Sequence, residues 1–160
     1  MLKSLAVVAA ATLSALGAGA ALGGAEASAR LLGGSPPPPP AARIAKAKDG
    51  HFWAQAYVNG RPLRVLVDTG ASELALTRAD ARRLGVDTAG LDYDKPVMTA
   101  DGRMQAARVR LARVTVGDAE VRDVDALVVR RGLNTSLLGM SYLGRLSGFA
   151  ADREALTLRR

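Results

Sequence analysis

The segment Val65-Leu-Val-Asp-Thr-Gly-Ala-Ser72 sets a carboxylate, two hydroxyls and a glycine turn directly behind an apolar run. An acid at the end of a buried strand is costly to ionise unless donors surround it. Thr69 and Ser72 offer hydroxyls, and a turn at Gly70 lets the backbone N–H groups of Gly70 and Ala71 point back at Asp68. Such a cradle holds one carboxyl in one orientation, which is what general acid–base chemistry needs. The bland reading of Asp-Thr-Gly is an ordinary turn, because Asp and Gly are frequent turn residues.

Few other residues compete for a chemical role. The chain has 0 Cys and 1 His, His51, so no disulfide framework, thiolate nucleophile, Cys-based zinc site or histidine-rich metal site is expected, and no cofactor. His51 itself reads as an edge-strand residue, and Trp53 as core or rim. Asp92, Asp94, Asp101, Asp123 and Asp125 lack the spacing of a calcium loop. The net charge of +7 and pI near 10.5 come from scattered basic residues, and aromatics make up only 4% of the chain. With no stacking platform beside a basic groove, nucleic acid is not an expected partner; a basic surface serves solubility or attraction to anionic lipid.

The elements that must position Asp68 read mostly as strands. "HFWAQAYV" alternates, "NGRP" turns and "LRVLVDTG" alternates again, a hairpin over residues 51–67 on Asn59-Gly60 that delivers Asp68 to its end. Leu74 and Leu76 continue an extended pattern. Thr77 then caps a short helix, "TRADARRLG", with Asp80 three residues on and Gly85 as its stop. From Val97 the alternation resumes through an Asp101-Gly102 turn, a long strand with Val109, Leu111, Val114 and Val116, and a turn at Gly117-Asp118. "RRGLNTS" reads as a loop, "LLG" as a short buried strand, "MSYLGRL" as a helical turn or two and "GFAADREALTLRR" as a final hairpin. Short strands at this spacing predict an all-β sandwich or barrel.

The chain of 160 residues suits one domain and an end segment. Residues 1–29 begin with a basic Met1-Leu-Lys3 and run uncharged from Ser4 to Ala25, as a signal peptide or a membrane anchor does. Ala27-Ser28-Ala29 fits cleavage, whereas the length of the apolar run fits an uncleaved span, and both readings stand. Either places the remainder outside the cytoplasm, anchored and facing the periplasm or exterior, or exported. Residues 30–48 form a Pro-rich linker whose five consecutive prolines impose an extended spacer of about 3 Å per residue; a ligand for a proline-recognition module is the lesser reading. Folding starts near Arg43, and the domain is assigned to residues 49–160.

"LVDTGAS" resembles the active-site motif of aspartic proteases of the pepsin and retroviral type. "LLGMSYL" at Leu137 to Leu143 resembles their second hallmark, two apolar residues and a glycine before a short helix, and "TADGRM" falls where they carry a flap hairpin. With a single Asp-Thr-Gly, the chain is similar to the half-size retropepsin form, and above all to the bacterial membrane-anchored retropepsin-like group, whose "LLGMSFL" is nearly this sequence. The resemblance spans approximately residues 50 to 159.

That resemblance implies a closed retropepsin-like acid protease barrel with one or two short helices, in which the Asp68 loop crosses under Leu137-Leu138-Gly139. It implies a homodimer that takes a peptide or protein substrate, since one acid per chain is half a site; metal-free peptide hydrolysis itself asks for one acid to activate water and another to donate a proton. Asp68 is then the catalytic acid or base of each chain, Thr69 ties the two loops across the axis, Gly70 makes the turn with Ala71, and Ser72 bonds the outer carboxylate oxygen. Ala100, Asp101 and Gly102 form the flap tip and offer backbone N–H groups to substrate. Met140-Ser141 stands where the retroviral pattern has Arg-Asn, and Arg145 is either a substitute for that arginine or a solvated surface residue. The rival readings are a non-catalytic peptide-binding or self-association module of the same fold, and a basic binder of lipid or nucleic acid.

Overall fold

The computed structural model of the chain describes residues 40–99 and 102–160. The expectations for the signal or anchor of residues 1–29 and for the proline run through Pro39 lie outside the described residues. Among the described residues, no helix is long and apolar enough to cross a membrane.

The fold is mostly β. Its ten strands are β1 (Ala42–Ala45), β2 (Trp53–Val58), β3 (Arg61–Val67), β4 (Leu74–Thr77), β5 (Lys95–Thr99), β6 (Gly102–Val116), β7 (Ala119–Val129), β8 (Leu137–Leu138), β9 (Gly148–Ala151) and β10 (Ala155–Arg159). Two short helices, α1 (Arg78–Arg83) and α2 (Met140–Leu143), complete it. A three-stranded sheet runs β1-β10-β9, and a seven-stranded sheet runs β2-β3-β8-β4-β7-β6-β5, with a further pairing of β2 to β6. The expected closed barrel is here a seven-stranded sheet with that one return pairing.

Local chemistry explains most of the elements. Asn59 and Gly60 both take positive φ, 50° and 82°, the backbone that a two-residue hairpin turn demands. Asn59 then locks the turn to β6, since its N–H donates to Arg113 O and its Oδ1 accepts from Arg113 N, both at 2.9 Å. Thr77 Oγ1 accepts the Asp80 N–H at 3.0 Å and caps α1, and Gly85 ends the turn at φ 87°.

The β6–β7 hairpin is long enough to need a correction of phase. Buried positions of β7 run Ala119, Val121, then Val124, Ala126, Val128, so the alternation slips once between Val121 and Val124. Asp123 sits at the slip with φ 51°. A local kink there keeps the apolar side facing one core along the whole strand, where strict alternation would send its far half to the other face. Arg145 Nη1 donates to Arg122 O and, at 3.0 Å, to Asp123 O. Arg145 is exposed, as the surface reading expects, and its guanidinium also clamps the segment after α2 onto the kink.

Two apolar clusters result. The large one joins Val58, Val65, Leu74, Leu76, Leu111, Val114, Val124, Leu138, Tyr142, Leu143 and Leu158, all buried. The small one, Ala75, Ala106, Leu127 and Val129, lies on the other face of β4, β6 and β7. β1 falls within the segment assigned to the linker. Ile44 is buried in the large cluster, and Ala42 to Ala45 pair with Leu158 to Ala155, so edge pairing recruits residues that composition alone assigned to a spacer.

Candidate active site

Asp68 leaves the end of β3 where β8 has been inserted between β3 and β4. Leu66 pairs with Leu137 and Val67 with Leu138 in parallel, while Ala75 of β4 pairs with Leu137 from the other side. The loop from Asp68 to Glu73 therefore has to pass around β8. It is bound to that strand at its start and to α2, just after the strand, further on: the Asp68 N–H donates to Leu138 O at 3.1 Å, the Met140 N–H donates to Ala71 O at 2.8 Å, and the Leu74 N–H donates to Ser141 Oγ at 2.8 Å. Leu137, Leu138 and Gly139 thus come together with Asp68 as the sequence reading expects. Ser141, noted in the sequence only as a departure from a pattern, is one of the anchors.

Gly139 is what allows the approach. A Cβ on it would lie 2.3 Å from Glu73 O and 2.6 Å from Ala71 O, both backbone atoms. No other residue fits beneath the loop.

Within the loop, the Gly70 N–H donates to Asp68 Oδ1 at 2.8 Å, which fixes the carboxylate. The Ala71 N–H takes a different partner from the one expected, the main-chain oxygen of Asp68 at 3.3 Å, and so closes the turn. Asp68 is half-buried and Thr69, Gly70 and Ser72 are exposed, because the loop stands at the open edge of the sheet. The side chains of Thr69 and Ser72 make no hydrogen bond among the described residues. Among the described residues, the cradle of the Asp68 carboxylate is one backbone N–H.

Along Gly70, Ala71, Ser72 and Glu73 runs a cleft of about 480 Å³. Its walls are the small apolar cluster and its neighbours: Ala75, Val97, Leu127, Val129, Leu133 and Leu137, with Met98 beside them, 80% exposed on β5. Lys95, at the root of β5, closes a two-pronged ion pair with Glu73 at 2.7 and 2.9 Å. β5 and β6 form the hairpin over this region, and Thr99 pairs with Gly102. The expected turn at Asp101-Gly102 falls partly on Ala100 and Asp101, which lie outside the described residues. Gly102 begins β6 with φ 106°.

A second group supports the site from behind. Ser136 is 1% exposed; its hydroxyl donates to Asp80 Oδ2 at 2.7 Å and accepts the Thr77 N–H at 3.1 Å, and Ser136 O accepts the Leu66 N–H at 3.0 Å. The α1 N-terminus is thereby fastened to the residue that leads into β8. Sequence reading saw Asp80 only as part of a helix cap. His51 is exposed beside Asp49, and Trp53 is a rim residue, with Nε1–H donating to Asp49 at 2.8 Å and the Arg64 guanidinium 4.2 Å over its ring. Among the described residues, no group of three or more His, Asp or Glu side chains could hold a metal ion.

The sequence profile of the family described as "gag-polyprotein putative aspartyl protease" matches residues 54–145. An uncharacterised Sinorhizobium protein from the cobV 5′ region is 44% identical over 117 residues, 72% of this chain and 50% of that protein. An uncharacterised protein of Rickettsia prowazekii is 43% identical over 115 residues, 72% of this chain and 49% of that one. The chain spans about half the length of these curated relatives. The crystal structure of a retropepsin-like aspartic protease from Rickettsia conorii is similar at a TM-score of 0.67 and 42% identity, covering 73% of this chain and 88% of that one. The EIAV protease, solved with the inhibitor HBY-793, shares the fold at a TM-score of 0.54 and 20% identity, covering 66% of this chain and 96% of that one. A profile that takes in both the Asp68 loop and the strand threaded through it, together with the match to the Rickettsia conorii fold, makes this chain a member of the retropepsin-like aspartic protease family.

Proposed function

We propose that the protein is an aspartic endopeptidase that hydrolyses peptide bonds by activating water between the Asp68 carboxyls of two chains. The observation that carries this reading is the Asp68 carboxylate itself, fixed by the Gly70 N–H at 2.8 Å on a loop bound to β8, the following residues of which, Gly70 to Glu73, line a cleft with a largely apolar far wall. One carboxylate can take a proton from water but cannot also supply one to the substrate, so a second acid is required. Two carboxylates brought close together repel, so the reading has one Asp68 ionised and the other holding a proton. The ionised member takes the water proton as oxygen attacks the peptide carbon. The protonated member gives its proton to the carbonyl oxygen; as the C–N bond breaks, the first carboxyl passes the proton it took from water to the leaving nitrogen and the second takes its proton back from the tetrahedral hydroxyl.

The exposed hydroxyls of Thr69 and Ser72 are assigned to this assembled state, Thr69 to the partner loop and Ser72 to the outer oxygen of Asp68. Ala100, Asp101 and Gly102 are assigned to a flap over the substrate. Residues 1–29 are proposed to export the domain or hold it on the membrane, facing the periplasm or exterior; confinement to a surface would raise the effective concentration of the two halves.

The test is a peptide library incubated with wild type and Asp68→Asn, each checked for dimer by sedimentation. Wild type should cleave, with activity rising with the dimer fraction, and Asp68→Asn should lose at least about a thousandfold, as removal of a group acting in the chemical step does. Equal cleavage by both chains, or none by a verified wild-type dimer, refutes the protease in favour of a binding module.

A further inference from the structure

We infer that the pocket bounded by Trp53, Arg64, Arg83 and the segment 134–136 is a second binding site, which takes an acidic side chain of the protein substrate outside the cleft. That its occupant is substrate rests on the reading that the cleft holds peptide; that it takes a carboxylate rests on the pocket alone.

The pocket, of about 370 Å³, shares the segment 133–137 with the cleft. Leu133 and Leu137 line the cleft, while Asn134, Thr135 and Ser136 between them line the pocket. The Leu66 N–H donates to Ser136 O, which ties this wall to the strand leading into Asp68. A peptide leaving the cleft past Leu133 therefore has one short segment to cross before it reaches the pocket.

Donors are in surplus there. The Arg64 guanidinium stands 4.2 Å over the Trp53 ring and has no ion pair or hydrogen bond among the described residues. A guanidinium on an aromatic face keeps N–H groups at its rim, where a carboxylate can take two of them at once. Arg83 reaches Asp80 Oδ1 with one nitrogen at 3.2 Å, and its side chain is 80% exposed. Arg61 adds a third positive charge beside it, donating to Arg83 O at 3.0 Å. Asp80 is the one carboxylate in the lining and is already engaged, with Oδ2 accepting from Ser136 at 2.7 Å and Thr77 at 2.9 Å. Asp49, at the indole edge, is held by the Trp53 and His51 N–H groups. The balance at the pocket is positive, and the side chains of Asn134 and Thr135, without hydrogen bonds among the described residues, add further donors. An acidic group entering here meets free donors, and an ammonium meets like charge. A stack that served only to hold Trp53 in place would leave the pocket indifferent to the charge of a ligand.

Trp53 is the one tryptophan of the chain, so its fluorescence reads this pocket directly. The full chain carrying Asp68→Asn is titrated at about 0.15 M salt with capped hexaglutamate, capped hexaglutamine and inorganic phosphate. Hexaglutamate should give a saturable change and hexaglutamine none. Phosphate binding as tight as that of hexaglutamate would overturn the assignment to peptide. Arg64→Gln combined with Arg83→Gln should weaken hexaglutamate about tenfold, as two exposed charge pairs lost together do. Arg113→Gln combined with Arg122→Gln removes the same charge elsewhere and should weaken it less than about twofold. Equal losses in the two double variants mean attraction to the whole chain's charge and overturn the inference. Arg64→Lys, which keeps the charge and loses the two-pronged donor, should weaken binding severalfold and keeps the test decisive if the first double variant folds poorly. With Asp68 intact, a library peptide that is cleaved is extended by Glu or by Gln residues. At one end the Glu extension should lower KM about tenfold, and Arg64→Gln with Arg83→Gln should abolish that advantage. Hexaglutamate binding with no Glu advantage in cleavage overturns the substrate assignment. Cleavage with no hexaglutamate binding removes this inference and leaves the protease reading standing, whereas saturable binding with no cleavage by a verified dimer keeps the carboxylate site and removes the protease.

Discussion

Replacing Gly139 by alanine should damage the loop that holds Asp68 more than any other single methyl group added to this fold. The new Cβ would sit 2.3 Å from Glu73 O, 2.6 Å from Ala71 O and 2.7 Å from Glu73 C, all backbone atoms with no rotamer to change. To regain even a 3.0 Å contact, β8 and the loop must part by about 0.7 Å. Overpacking of this kind costs about 1–3 kcal/mol. The same movement stretches the Met140 N–H bond to Ala71 O and the Leu74 N–H bond to Ser141 Oγ, both 2.8 Å, worth about 1 kcal/mol each. The expected loss is about 3–5 kcal/mol, a fall in Tm of roughly 10–20 °C for a domain of this size. Cleavage should fall further than stability explains, by about a hundredfold in protein still folded, because a displacement approaching 1 Å misplaces the acid. Thermal unfolding followed by circular dichroism measures the first effect, and peptide hydrolysis well below the melting range measures the second. Gly148→Ala is the control: nothing lies within 4 Å of its Cβ and its φ is not positive, so its Tm should stay within about 2 °C of wild type. If Gly139→Ala melts within the same interval, β8 does not hold the loop as described.

Ser136→Ala should cost about 1–3 kcal/mol, because it leaves the Thr77 N–H without its acceptor and takes from Asp80 a 2.7 Å donor. Urea unfolding should show this as a lower midpoint at unchanged m, and an unchanged midpoint would mean the α1-to-β8 fastening carries no stability. Tyr142→Phe should cost about 1 kcal/mol at neutral pH, since the wholly buried hydroxyl donates to Ala119 O at 2.8 Å. Burial raises the Tyr142 pKa above its ordinary 10.0, against a smaller opposing effect of the Val116 main chain. Above pH 10 the unfolded phenol loses its proton while the folded one keeps it, so wild type should lose stability as pH rises, by up to about 1.4 kcal/mol per pH unit more than Tyr142→Phe. Denaturant titrations of both chains between pH 9 and about 11.5 test the sign, and parallel curves would refute it.

Where residues act on neighbours a few positions away, their behaviour was legible beforehand. Asn59-Gly60 makes its turn because few residue types adopt two successive positive φ values, and Thr77 caps α1 because its acceptor and the Asp80 N–H are three residues apart. The Gly117-Asp118 turn and the closing β9–β10 hairpin were readable on the same grounds. Pairings across the fold were not. Glu73 meets Lys95 from 22 residues away and Ser136 meets Asp80 from 56, and nothing in the composition near either marks them as partners. The phase slip at Asp123 was hidden as well, because a kink is visible only against the strand it pairs with.

By itself the sequence determined that a carboxylate ends an apolar strand, that a glycine turn follows, and that a short Leu-Leu-Gly strand stands about seventy residues downstream. Only the tertiary structure decided that this strand lies between β3 and β4, that Gly139 must be glycine because two backbone oxygens occupy the place of a Cβ, and that one backbone N–H rather than a ring of hydroxyls orients Asp68 within the chain. The reason is range: turn and capping preferences act over three or four residues, whereas close approach of backbones follows from how distant strands are ordered in the sheet.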